Sequence, residues 1–218
     1  MEFRRNLLAV RALYLVWVIL GMLSILYIPS QLIDFNDALL TAEQISKDET
    51  LFRAGIIGRL FTQLLFLIIV WYLYQLFNSV NRKATYLMMI FTFVSVPIAM
   101  FNEMNALMAL NYLEQPDTLM IWLNALSHGI ILVSLFWGLW LFPLGYLVYK
   151  SNWFPRFMGI ALFIGGLGYF LGTCFRLVFP ETDLLHTVFE TLTMGEMVWV
   201  LWIIFLGVRK KNWPEGVK

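Results

Sequence analysis

Six long apolar blocks, separated by short polar connections, constrain this chain more than any other feature of its sequence. A helix needs about 20 consecutive apolar residues to cross the hydrocarbon core of a bilayer. The blocks predict an all-α polytopic membrane protein, a six-transmembrane-helix bundle that forms one integral membrane domain over residues 1–218. The predicted spans are residues 7–28, 54–78, 84–110, 118–149, 155–178 and 184–208.

The composition agrees with membrane insertion and excludes several classes of function. Hydrophobic residues make up 61% of the chain and charged residues 13%, against about 45–50% and about 25% in soluble domains. A net charge of +1 provides no field to attract nucleic acid. The single cysteine, Cys174, excludes an internal disulfide and a cysteine-based zinc site. We therefore expect membrane lipids as partners, no nucleic acid and no cofactor, while the oligomeric state stays open.

The distribution of lysine and arginine predicts how the chain crosses the membrane. Cytoplasmic loops carry an excess of these residues. One side of the predicted bundle carries ten of them, and the other carries Lys47 and Arg53 among nine acidic residues. This asymmetry predicts that both termini are cytoplasmic. The ten basic residues are Arg4, Arg5, Arg82, Lys83, Lys150, Arg156, Arg209, Lys210, Lys211 and Lys218.

The first non-cytoplasmic loop, residues 30–53, is the only long connection. Its segment from Thr41 to Gln44 matches a capping box, in which the threonine side chain caps a helix and the glutamine reaches back. This pattern predicts a short surface helix over about 42–50.

Four stretches of the chain resemble a known family. They are SILYIPS at 24–30, LFRAGII at 51–57, FWGLWLFPLGYLVYK at 136–150 and FPRFMG at 154–159. Together they resemble the bacterial multi-pass membrane proteins known as the domain-of-unknown-function family numbered 4386. The resemblance implies a multi-pass protein of the cell's inner (cytoplasmic) membrane, and it assigns no activity and no catalytic residues.

Charged and polar side chains inside the predicted spans are the main functional signal, because such groups are costly in lipid and mark functional sites. They come early in spans two, four and six and late in spans three and five, so all of them fall in the non-cytoplasmic half of the bilayer. Five unpaired charges would cost about 12–17 kcal/mol, which predicts that they meet in an outward-opening polar cavity walled by spans two to six. The candidate ligand-binding residues are Arg59, Gln63, Asn102, Glu103, Asn105, Asn124, His128, Arg176, His186, Glu190, Thr193 and Glu196.

Several functions fit this pattern. The leading hypothesis is a non-enzymatic protein that binds a small molecule or a lipid, as a sensor or transporter does, with Arg59 and Arg176 as anion partners. A membrane-embedded hydrolase-type enzyme is an alternative, with Glu190 or Glu196 as the base and His128 or His186 as the acid or as a metal ligand. A structural membrane subunit held together by ion pairs is another.

Two residue patterns in the last two spans allow structural predictions, one about metal binding and one about helix packing. His186 and Glu190 lie four residues apart, but no third ligand shares their helix, so we predict no metal site. Gly165, Gly168 and Gly172 form a small-residue face of the kind that lets helices approach closely. This face predicts that span five packs inside the bundle.

Overall fold

The computed structural model describes residues 2–179 and 183–208 and is helical throughout that part of the chain, apart from short turns. Six of its helical stretches are long and apolar enough to cross a membrane. The predicted all-α membrane bundle is therefore confirmed. The elements are α1 (Glu2–Gly21), a π-helical turn (Met22–Tyr27), α2 (Ile28–Leu32), α3 (Ala38–Lys47), α4 (Glu49–Phe77), α5 (Arg82–Ala109), a short 3-10 turn (Leu110–Tyr112), α6 (Pro116–Ser151), α7 (Arg156–Val178) and α8 (Asp183–Phe205).

The long helices extend past the apolar blocks at most of their ends. The first begins at Glu2 and the second at Glu49, several residues before the predicted starts, because polar residues continue a helix once it has left the hydrocarbon core. Pro97 and Pro143 lie inside the continuous helices α5 and α6. Membrane helices tolerate an internal proline because neighbouring groups satisfy the carbonyl that it frees.

The short helix of the long loop is present, but the predicted capping box is wrong. Helix α3 begins at Ala38, and its cap is Asp37, whose Oδ1 accepts a hydrogen bond from the Leu40 amide at 2.9 Å. The Thr41 hydroxyl instead donates to the Asp34 carbonyl and accepts from the Asp34 amide, both at 2.9 Å. Aspartate is at least as good a cap as threonine, so the helix begins one turn earlier than predicted.

The described chain divides into two compact units. The first unit comprises residues up to Leu15, 67–95 and 131 onward, and the second comprises 16–66 and 96–130. The prediction of one domain stays a prediction. In the second unit, α3 covers an apolar core by burying Thr41, Ala42 and Ile45. That core consists of Ile28, Leu32, Ala42, Ile45, Phe52, Ile56, Ala106, Ala109, Leu119, Met120, Leu123 and Leu126.

In the first unit, glycines bring α7 and α8 into backbone contact. A Cβ added at Gly168 would lie 2.7 Å from the Thr193 amide nitrogen and 2.8 Å from the Phe189 carbonyl oxygen. On the opposite helix, a Cβ at Gly195 would overlap the Ala161 carbonyl oxygen. No larger residue fits at either position. The predicted packing of the small-residue face of span five inside the bundle is thus confirmed, and its partner is the last span.

An arginine side chain caps the C-terminal end of α8. The Arg11 side chain, from α1, donates from Nε and Nη2 to the Ile204 carbonyl oxygen at 3.0 and 2.7 Å. The last carbonyls of a helix have no partner within it, and a cation there also suits the helix dipole. Gly207 follows with φ of +59°, the left-handed conformation common after a helix end.

Candidate functional site

Each of the two compact units contains one arginine–glutamate ion pair from the predicted set of polar residues. In the second unit, Arg59 of α4 pairs with Glu103 of α5. The Arg59 Nε donates to both carboxylate oxygens of Glu103 at 2.9 and 3.0 Å, and Nη2 lies 2.9 Å from Oε2. Only 11% of the arginine side chain and 9% of the glutamate side chain are exposed. We call Arg59 and Glu103 the sealed pair.

The remaining guanidinium nitrogen of Arg59 binds a backbone carbonyl of span one. Its Nη1 donates to the Ser24 carbonyl oxygen at 3.1 Å. This carbonyl is available because the π-helical turn shifts the register, so that the Ile28 amide donates to the Leu23 carbonyl. The next residue, Pro29, has no amide hydrogen to offer. The proline and the register shift therefore leave the Ser24 carbonyl without a donor from its own helix, and Arg59 donates to it instead.

Asparagines of α5 extend this cluster to α6. The Asn102 Nδ2 donates to the Leu126 carbonyl oxygen at 2.8 Å, and the Asn105 Nδ2 donates to Asn102 Oδ1 at 2.8 Å. Gly129 makes this possible, because a Cβ at that position would overlap the Asn102 amide group. Buried polar groups almost always have hydrogen-bond partners, and here the chain supplies them from its own backbone and side chains.

Three other predicted residues of this unit do not bind the sealed pair. Gln63 lies one turn after Arg59 and is half-buried, and its Oε1 is buried without a hydrogen-bond partner in the described structure. Asn124 and His128 are exposed. The His128 Nδ1 is 2.8 Å from the Asn124 carbonyl oxygen of its own helix. These two side chains therefore lie on a face of α6 that the protein does not cover.

The second cluster lies on α7 and α8. Arg176, in the last turn of α7, donates from Nη2 to Glu190 Oε1 of α8. The arginine side chain is 36% exposed and the glutamate side chain 65%. We call Arg176 and Glu190 the exposed pair. The Thr193 hydroxyl donates to the Glu190 carbonyl at 2.6 Å, and His186, one turn before Glu190, is half-buried.

Glu196 lies further along α8 and has different neighbours. Within the described chain no lysine, arginine or histidine nitrogen lies within 4.0 Å of its carboxylate. Its side chain is half-buried and is close enough to the Tyr169 side chain of α7 to interact with it electrostatically. The buried Tyr14 of α1 is also close enough to interact with its charge.

Chemically, the charged side chains of both clusters are arginine–glutamate ion pairs. In the described part of the chain, no three His, Cys, Asp or Glu side chains are placed to hold a metal ion together. The sealed pair leaves its charges covered by protein, whereas the exposed pair presents both charges to the surroundings.

Sequence reasoning missed Ser24, Pro29, Gly129 and Tyr169. The sequence shows Pro29 near the end of an apolar block. It does not show that this proline leaves the Ser24 carbonyl free, because that depends on the helix register.

Comparison with known proteins identifies the family but no activity. The model of the family described as "Domain of unknown function (DUF4386)" matches residues 11–207. The chain therefore belongs to this family, as its resemblance predicted. An uncharacterized protein of Archaeoglobus fulgidus is 28% identical over 115 residues, which cover 52% of this chain and 65% of that protein. No solved structure gives a significant match.

Proposed function

We propose that this membrane protein binds an amphipathic molecule with an anionic group, such as a phospholipid, at the exposed pair of α7 and α8. The observation that carries the proposal is the exposure of Arg176 and Glu190, 36% and 65%, whereas the other interhelical ion pair within the described residues is covered by protein. Exposed ion pairs add little to stability, about 0–1 kcal/mol. Arg176 lies in the last turn of α7, where an exposed charge of so little value for stability is available for binding.

The surroundings of the exposed pair suit a ligand with an apolar body. Leu177, Val178 and Leu184 flank the two charges and are 61%, 65% and 77% exposed. Acyl chains or another apolar body would cover these side chains, while Arg176 holds the anionic group through charge-assisted hydrogen bonds. Glu190 would accept from hydroxyl or ammonium groups of the same headgroup.

Thermal unfolding of the purified protein in detergent tests the proposal. A ligand at about 100 times its Kd stabilises the folded state by about 2.7 kcal/mol. We expect added phosphatidylglycerol to raise the Tm of the wild type but not that of Arg176→Gln. Arg53→Gln is the matched control, because Arg53 forms an exposed ion pair with Glu49 at 2.6 Å within one helix. That variant should respond like the wild type.

The arms of this experiment separate the sources of the anion. If inorganic phosphate alone gives the same Arg176-dependent shift, the ligand is a small anion and not a lipid. If Arg176→Gln responds to phosphatidylglycerol as fully as the wild type and Arg53→Gln, the exposed pair is not the binding site and the proposal is wrong.

A further inference from the structure

We propose that this protein forms a homodimer in the membrane through an exposed stripe of α6. The stripe consists of Ile121, Asn124, Ala125 and His128, and we call it the α6 face. Its residues follow one another at the spacings that place side chains on one side of a helix. Ile121, Asn124 and His128 are exposed, and Ala125 is half-buried. The proposal does not depend on ligand binding at the exposed pair.

The opposite side of α6 is covered by the protein itself. Leu119, Leu123 and Leu126 are buried there, in the apolar core of the second unit. The helix therefore has one side packed against its own unit and another that carries an amide and an imidazole outward. An exposed polar stripe is unexpected on an apolar helix, and it needs a partner.

Hydrocarbon cannot supply that partner. Helix α6 begins at Pro116, so at 1.5 Å per residue Asn124 and His128 lie about 12 and 18 Å along its axis. The five residues before Asn124 are LMIWL, and the five after His128 are GIILV. Hydrogen-bonding groups at such a position cost free energy in lipid, and side chains of this kind bind across membrane helices instead.

The hydrogen bond of His128 determines which of its ring nitrogens is left for a partner. Its Nδ1 lies 2.8 Å from the Asn124 carbonyl oxygen, and a carbonyl only accepts, so Nδ1 carries the hydrogen. In a neutral imidazole the other nitrogen, Nε2, is then an acceptor. The side-chain amide of Asn124 makes no hydrogen bond within the described chain and offers donors from Nδ2. The α6 face thus presents an acceptor and a donor beside each other.

This arrangement is complementary to itself under a twofold rotation. Two copies inserted in the same orientation have parallel α6 helices, with the same residues at the same depth. The bond to the Asn124 carbonyl holds the His128 ring one turn back, near the level of Asn124. The Asn124 amide of each copy can therefore donate to His128 Nε2 of the other, which gives two equivalent hydrogen bonds. The small Ala125 lets the two helices approach.

A second copy satisfies the α6 face better than an anionic lipid does. The phosphate of a headgroup only accepts hydrogen bonds, so it would bind the Asn124 amide and leave Nε2 of His128 without a donor. The second copy supplies both a donor and an acceptor at the required level.

Cysteine cross-linking of the full chain in lipid vesicles tests the contact. Cys174→Ser removes the single cysteine, and Ile121→Cys in that background places a thiol on the α6 face. We expect mild oxidation to give a disulfide-linked dimer. Ile57→Cys is the matched control, because Ile57 is an exposed isoleucine on α4 of the same unit, and it should stay monomeric. Equal cross-linking of the two variants, or none at Ile121→Cys, would overturn the proposal.

Sedimentation equilibrium in detergent micelles measures the contribution of the two polar side chains. We expect the wild type to dimerise and the double variant Asn124→Leu, His128→Leu to dimerise at least about tenfold more weakly, as the loss of two hydrogen bonds between membrane helices predicts. Asn111→Leu, which changes an exposed asparagine elsewhere, should dimerise like the wild type.

The Tm of the double variant shows whether its fold is intact. Because both side chains are exposed, that Tm should equal the Tm of Asn111→Leu under conditions where both proteins are monomeric. A wild type that stays monomeric at every concentration, or a double variant that dimerises as strongly as the wild type, would show that the α6 face does not bind a second copy.

Discussion

The sealed pair and the exposed pair have the same chemistry, one arginine and one glutamate on different apolar helices, but they differ in their surroundings. Arg59 and Glu103 are 11% and 9% exposed, and Arg59 also binds a backbone carbonyl. Arg176 and Glu190 are 36% and 65% exposed. Burial makes the first pair indispensable, because each charge has only its partner to compensate it. The charges of the second pair remain accessible to other groups, because the protein covers neither of them fully.

The largest effect should come from removing one member of the sealed pair. Glu103→Gln leaves Arg59 buried without its counter-charge and should lower the free energy of unfolding by about 3–5 kcal/mol. Equilibrium unfolding in mixed detergent micelles measures this change. The matched control is Glu190→Gln in the exposed pair, which should cost less than about 1 kcal/mol. Similar losses in both variants would remove the distinction between the pairs.

Close packing beside the sealed pair can be tested at a glycine. Gly129→Ala places a Cβ on the Asn102 amide group and should cost about 1–3 kcal/mol through overpacking. Gly21→Ala is the control, because the nearest atom to a Cβ there is Ile25 Cδ1 at 4.0 Å. That variant should be neutral or slightly stabilising, since alanine favours helix. Equal stability of the two variants in thermal unfolding would show that Asn102 is not held against α6.

The register shift of span one gives a smaller effect. Pro29→Ala supplies an amide that competes with Arg59 for the Ser24 carbonyl and should lower the free energy of unfolding by about 0.5–1.5 kcal/mol, the value of one hydrogen bond. The same change in an Arg59→Met, Glu103→Leu background should cost nothing, because the carbonyl then has no arginine to lose. A loss of equal size in both backgrounds would assign the effect to the proline itself.

The smallest effect on stability should come from the exposed pair. Arg176→Gln should change the free energy of unfolding by less than about 1 kcal/mol, like Arg53→Gln, whose residue is also in an exposed pair. Chemical unfolding at low and high ionic strength checks this, because salt screens exposed charges. A loss of several kcal/mol that persists at high salt would make Arg176 a structural residue and favour the structural-subunit hypothesis.

Much of the fold could be predicted from the sequence, because a bilayer fixes the length and polarity of a spanning helix. The six blocks correspond to the six long helices, and the glycine face of span five packs against another helix as expected, although its partner α8 was not predicted. Helix ends were less predictable. Asp37 and Thr41 are both good caps, and only the packing of α3 on its apolar core decides between them.

The site could be predicted as a set of residues but not as a set of partners. Depth in the bilayer identified Arg59, Glu103, Arg176 and Glu190, yet it could not show which arginine meets which glutamate. Partner choice depends on helix rotation and register, which a single sequence does not encode locally. The same limit applies to Arg11, which lies near the basic N-terminus. The sequence does not indicate that its side chain binds the Ile204 carbonyl of α8.

Double-mutant cycles on the two pairs test the central claim most directly. One cycle combines Arg59→Met with Glu103→Leu, and the other combines Arg176→Met with Glu190→Leu, each read as the free energy of unfolding. We predict a coupling energy above about 2 kcal/mol for the sealed pair and below about 1 kcal/mol for the exposed pair. Equal coupling energies, or a larger one at Arg176 and Glu190, would contradict the account.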